Sequence, residues 1–249
     1  MKLATTVTGQ DNAEELCIVH GLFGSGRNWG IVQKRLSDRY RVTSVDLRNH
    51  GASGWSDTHD YPSLADDLAE TLGGRSHVLG HSMGGKAAMT LALRHPALVD
   101  RLIVADIAPK SYAHDQSRYI DAMRKLDLSD IGTRKDADAA LAESVEDAGV
   151  RAFLLQSLDM GERRWRLNLD VLEREMGNIV GWHEPEGQFE GPALFLSGEN
   201  SDYVSRDDRG AIRALFPQAH FATMRGVGHW LHAEKPREVE QSVRVFLGG

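Results

Sequence analysis

The chain has 249 residues, a formal net charge of −7, 41% hydrophobic residues and a single cysteine. That length suits one α/β domain carrying insertions, with enough apolar residues for a sizeable core. The acidic balance without a dominant Lys/Arg cluster excludes nucleic acid as an expected partner, and one cysteine excludes a disulfide framework within the chain.

Met1–Thr6 lacks the apolar stretch of a signal peptide, and no 18-residue apolar run follows, so a cytoplasmic protein with no membrane span is expected. Lys2–Thr8 alternates weakly, as an edge strand does. Leu16–His20 is a continuous apolar run, the pattern of a strand buried on both faces. Cys17 lies inside it and reads as a small core residue. The run ends in the glycine-rich loop His20-Gly21-Leu22-Phe23-Gly24-Ser25-Gly26, and a helix is expected over Asn28–Leu36. Arg41–Val45 is the next strand and leads into Asp46-Leu47-Arg48-Asn49-His50-Gly51. Leu64, Leu68 and Leu72 repeat at helical spacing within Tyr61–Leu72. A strand ending near His81 then passes through a tight turn into a helix reaching Arg94, and Asp100–Asp106 is another apolar strand.

From Ser111 to about Phe189 the pattern is helical and charged, with no clear strand. Tyr119, Ile120, Met123 and Leu126 illustrate the period. This segment is expected to form a helical cap over 111–189, inserted into a core formed by 1–110 and 190–249. Pro185–Pro192 is the expected return linker. The strand–helix rhythm resumes with Ala193–Gly198, a helix near Ser205–Leu215, a strand over His220–Met224 and a last helix over Pro236–Leu247. Strands alternating with helices predict a mostly parallel, doubly wound sheet of the α/β class.

The chemistry concentrates in Gly80-His81-Ser82-Met83-Gly84. A serine flanked by glycines at a strand-to-helix turn is the nucleophile elbow, which lifts the hydroxyl above the sheet. The same stretch nearly spells a phosphate-binding loop, Gly80 to Gly85-Lys86. That loop needs a Ser or Thr after the lysine, and here Ala87 follows. A serine needs a general base. Of the 11 histidines, His229 in Gly226-Val227-Gly228-His229-Trp230 follows the last predicted strand, at the sheet edge where open α/β folds place their sites. His81, His20 and His50 read as structural, and His232 as local packing.

The third member of a triad is open between two carboxylates. Asp106 ends a strand 24 residues after Ser82. Asp202 lies one residue beyond the usual acid position, which Ser201 occupies. Asp106 is favoured, because a triad is defined by geometry rather than by slot. An oxyanion hole is expected from the Met83 N–H and from the N–H of Leu22 or Phe23. Phe153, Trp165 and Trp182 in the cap, with Trp230 and His20, are candidates for lining an acyl pocket, while an ordinary cap core explains the aromatic residues equally well. His229-x-x-His232 lacks a third ligand at a sensible spacing, so no metal is expected.

Taken together, His20–Ser25, Asp46-x-Arg48-Asn49-His50-Gly51, Gly80–Lys86, Asp106-Ile107-Ala108-Pro109 and Gly228-His229 resemble α/β-hydrolase serine esterases of the YbfF type. The resemblance spans both ends of the core and is less diagnostic in the cap. It implies carboxylester hydrolysis of a small-molecule acyl ester, with acyl thioesters such as acyl-CoA as an extension, and no cofactor. A serine at the usual acid position is a mark of that group, which matches Ser201 and supports Asp106. A weaker resemblance is to the menaquinone-pathway lyase of the same fold. A non-catalytic ligand binder on a hydrolase scaffold is the remaining alternative. Oligomeric state and physiological substrate are not legible.

Overall fold

The computed structural model describes residues 1–113, 116–183 and 186–248. Pro185, the first residue of the expected return linker, lies outside them, as do positions 114, 115 and 184 of the expected cap.

Seven strands form one sheet: β1 (Ala4–Thr8), β2 (Glu15–Val19), β3 (Arg41–Asp46), β4 (Ser76–His81), β5 (Val99–Ala105), β8 (Ala193–Gly198) and β9 (Ala219–Met224). Their order is β1-β3-β2-β4-β5-β8-β9. β1 runs antiparallel to β3, and every other pair is parallel. The central strand β4 is buried at all of its positions, because helices cover both faces of the sheet. Alternate residues of one strand therefore feed two cores. Cys17 and Val19 of β2 join one apolar cluster, and Leu16 and Ile18 join the other.

The helices alternate with the strands. α1 (Gly30–Leu36) and α11 (Pro236–Leu247) pack together on one face, while α2 (Tyr61–Leu72) and α3 (Met83–Arg94) pack together on the other. A 3-10 turn at Gly26–Trp29 precedes α1, so the first helix is shorter than its pattern suggested. α2 starts where the Asp60 carboxylate accepts the Ser63 N–H at 2.8 Å, and it stops at Gly73, whose φ of 65° no β-carbon favours. α9 (Asp208–Leu215) and α10 (Leu231–Glu234) complete the set at the C-terminal end.

Between β5 and β8 lie α4 (Ser117–Lys125), α5 (Arg134–Leu141), α6 (Ala148–Leu155), α7 (Leu169–Arg174) and α8 (Met176–Val180). This stretch also contains a hairpin the period did not reveal, β6 (Leu158–Asp159) paired antiparallel with β7 (Arg164–Trp165). Two-residue strands are too short to show a period of two. The segment touches the core at defined points. The Ser157 hydroxyl donates to the Phe23 carbonyl at 2.6 Å, and the Tyr61 hydroxyl donates to the Ile179 carbonyl at 2.5 Å. Among the described residues no helix is long and apolar enough to cross a membrane.

Candidate active site

β4 delivers Ser82 at the carboxyl edge of the sheet, and α3 starts at the next residue. Ser82 has φ 54° and ψ −124°, a combination that non-glycine residues rarely adopt. The surroundings hold it there. Its N–H donates to the Ala105 carbonyl at 3.0 Å, and its carbonyl accepts the Gly85 and Lys86 N–H groups at 2.8 and 3.1 Å. The flanking glycines are required by space. A β-carbon on Gly84 would stand 2.3 Å from the His20 carbonyl oxygen, and one on Gly80 would stand 2.2 Å from the Gly84 carbonyl oxygen.

The Ser82 hydroxyl lies 3.0 Å from His229 Nε2, and His229 Nδ1 lies 2.7 Å from Asp106 Oδ2. Asp106, directly after β5, is fully buried. Its Oδ1 accepts the Gly198 N–H at 2.9 Å, and its Oδ2 also accepts the Ser201 hydroxyl. These donors fix the carboxylate, so Nδ1 of His229 carries the proton and Nε2 is left to accept from Ser82. Asp202 is exposed and makes no hydrogen bond to His229 among the described residues. The structure thus brings Asp106, not Asp202, to the imidazole. Ser201 occupies the place beside it and donates a hydroxyl to the same carboxylate.

The two loop candidates for an oxyanion hole separate. The Phe23 N–H donates to His50 Nε2 at 3.2 Å, because His50 Nδ1 faces the Arg48 carbonyl at 3.0 Å and leaves Nε2 as an acceptor. The Phe23 N–H is thereby already engaged. Among the described residues no hydrogen bond takes the N–H of Leu22 or of Met83. Both residues border the cavity above Ser82.

That cavity has a volume of about 600 Å³. His20, Phe153 and Trp230 line it, whereas Trp165 and Trp182 do not. Trp165 is part of β7 and donates its Nε1–H to the Met123 carbonyl at 3.0 Å, which makes it core of the inserted segment. Trp182 packs beside Tyr61 with ring centres 6.3 Å apart. Lys86 does not serve a phosphate loop. Its ammonium donates two of its N–H groups to the carbonyls of Val180 and Gly181, at 2.9 and 2.7 Å. The Cys17 thiol is pushed up to about 12 by burial, so it is no nucleophile.

Sequence reasoning missed Tyr203. Its ring stacks on the His229 imidazole with centroids 4.0 Å apart and planes 18° apart. It also missed His59, whose Nε2 lies 3.3 Å from the Met83 sulfur. His20, His50 and His59 form one ring chain at 5.1 and 5.3 Å spacing, behind the loop that carries Leu22. His81 places Nε2 2.9 Å from the His229 carbonyl, and His232 stacks on Trp29 at 4.3 Å.

Burial holds these five histidines, His20, His50, His59, His81 and His232, below their ordinary range, with His59 and His232 lowered to about 3. A base depressed in the folded state binds its proton first in the unfolded chain. Its contribution is therefore complete above the unfolded value near 6.5 and is lost as pH falls below it. Each such group costs about 1 kcal/mol per pH unit of acidification. His59 and His232 alone cost about 5 kcal/mol within about two pH units, the lower end of a typical net stability, and the other three act in the same direction. The chain is expected to unfold cooperatively between about pH 6 and pH 4, read by far-UV circular dichroism at constant ionic strength. A native signal that persists below pH 4 would contradict this.

The chain matches the model of the alpha/beta hydrolase family over residues 18–242. It is 40% identical over 251 residues to "Esterase YbfF" of Escherichia coli strain K12, covering 98% of this chain and 97% of that protein. It is 40% identical over 253 residues to "sn-1-specific diacylglycerol lipase ABHD11" of Danio rerio, covering 96% of this chain and 80% of the relative. Among solved structures, "Marine microorganism esterase" superposes with a TM-score of 0.94 at 37% identity, covering 99% of each chain.

Proposed function

Since the chain belongs to the alpha/beta hydrolase family and is a carboxylic ester hydrolase of the esterase and lipase type, we propose that it works as a serine esterase through an acyl-enzyme on Ser82. The observation that carries this reading is the continuous chain from the Ser82 hydroxyl through both nitrogens of His229 to buried Asp106. Ser82 attacks the ester carbonyl while His229 Nε2 takes its proton. Asp106 balances the imidazolium, and Ser201 and Gly198 keep that carboxylate in place. The N–H groups of Leu22 and Met83 receive the oxyanion, with the start of α3 adding its dipole. His229 then protonates the leaving alcohol, activates a water, and returns the proton to Ser82 as the acid departs.

Residues 111–189 act in this reading as a cap over a core made of 1–110 and 190–249. Phe153 of α6 and Trp230, with ring centres 6.1 Å apart, form an apolar wall for the substrate. The cavity volume of about 600 Å³ supports small to medium acyl groups. The sole cysteine, buried and reduced, is consistent with work in the cytoplasm. The test is a panel of p-nitrophenyl esters of rising acyl length, with acyl-CoA thioesters and diacylglycerols as larger members. Turnover that peaks at short or medium chains is expected, and no turnover of any ester would end the proposal.

Tyr203 has a positioning role here. Its ring face stabilises the imidazolium and blocks rotation of the imidazole, an interaction worth about 1 to 2 kcal/mol when desolvated. Tyr203→Leu is expected to lower kcat roughly 10-fold with KM nearly unchanged, and Tyr203→Phe to restore most of it. Equal losses in both variants would show that the hydroxyl, not the ring face, matters.

A further inference from the structure

Lys86 is a cation in an unusual place. It lies one helical turn after Ser82 on α3, is 1% exposed, and lines the same cavity as the nucleophile. Its ammonium donates to the carbonyls of Val180 and Gly181, at the C-terminal end of α8, and lies 5.5 and 4.8 Å from the ring centres of Tyr61 and Tyr112. An ammonium has three N–H bonds, and these carbonyls use two. No ion pair among the described residues includes it. Asp202, at the exposed rim, is the one carboxylate among the residues lining the cavity. Arg118, also exposed there, offsets it.

A buried charge is normally matched by an opposite charge, because carbonyl dipoles and ring faces return only part of its lost hydration. Burial accordingly pushes Lys86 down to about 7. A packing role alone would be met more cheaply by a methionine or leucine of similar length.

We propose that Lys86 is the anion-recognising residue of the substrate cavity, and that the preferred substrates are esters whose acyl half carries a carboxylate. The acyl half is the part that stays bonded to Ser82, at the head of the helix that presents Lys86 one turn on. The carboxylate takes the third N–H of the ammonium and supplies the missing negative charge, a charge-assisted contact away from bulk water. The proposal rests on the serine esterase reading and names the substrate class for that same cavity.

The test compares p-nitrophenyl monoesters of glutaric, adipic and pimelic acid with p-nitrophenyl pentanoate, hexanoate and heptanoate at pH 6.5. At one of the three lengths or more, kcat/KM for the carboxylated ester is expected to exceed that of its neutral partner by 10-fold or more, about 1.4 kcal/mol. Lys86→Met is expected to bring that ratio to one or below, and Lys86→Arg to keep a ratio above one. Should Lys86→Met fail to fold, the wild-type ratio between pH 6.5 and pH 8.5 decides. It falls as Lys86 loses its proton. Tyr61 from α2 and Tyr112 from the segment after β5 face the ammonium, and burial raises both, so they stay neutral throughout. The chemical steps at Ser82 are common to both esters and cancel in the ratio. Neutral esters that match or exceed the carboxylated ones at every length, or a ratio that survives Lys86→Met or the pH rise, would overturn the proposal and leave the esterase standing. Failure of all six esters would instead remove the esterase reading itself.

Discussion

Replacing Ser82 with alanine is expected to lower kcat for p-nitrophenyl butyrate by about 10⁴- to 10⁶-fold, leaving the fold in place. The loss follows from the geometry. Without the hydroxyl 3.0 Å from His229 Nε2, no nucleophile faces the carbonyl, and only the amide donors and the cavity remain. The fold survives because the unusual φ of 54° is held by main-chain hydrogen bonds to Ala105, Gly85 and Lys86, not by the side chain. Circular dichroism would report the unchanged structure. Activity within 10-fold of the parent would dismiss Ser82 as the nucleophile.

Asp106→Asn is expected to lower kcat by about 10⁴-fold, roughly 5 kcal/mol, because an amide at this position disturbs the tautomer of His229. The carboxylate accepts from His229 Nδ1, the Gly198 N–H and the Ser201 hydroxyl, and an amide cannot accept from all of them with the same atoms. Asp202→Asn is expected to stay within about 3-fold, since an exposed carboxylate outside the hydrogen-bonded chain adds little. Steady-state kinetics on purified variants distinguish them. The reverse order, with Asp202→Asn inactive and Asp106→Asn active, would replace the acid.

The elbow was legible because its constraints are local. Gly80 and Gly84 are demanded by backbone contacts of 2.2 and 2.3 Å, and those demands surface as letters at fixed spacing. The sheet was legible for a similar reason: strands buried on both faces read as apolar runs, as β2 and β5 do. The choice between Leu22 and Phe23 was not legible. It turns on His50, 27 positions beyond Phe23, accepting one N–H and leaving the other. Trp165 and Trp182 carry the composition of a pocket wall, yet only packing decides which side of a helical layer an aromatic ring faces. Tyr203 lies in a loop, where no period marks a residue stacked on an imidazole. Lys86 did leave a signal. It is the one charged residue before Arg94 in a helix otherwise made of Met, Gly, Ala, Thr and Leu, a run buried from Met83 to Leu93.

The central claim is that one backbone bend makes a single serine reactive, and intact-mass analysis after treatment with a fluorophosphonate tests it most directly. One adduct per chain is predicted, located by peptide mapping to Ser82, absent from Ser82→Ala and strongly slowed in Asp106→Asn. Ester turnover with no adduct, or an adduct on another residue, would contradict the account.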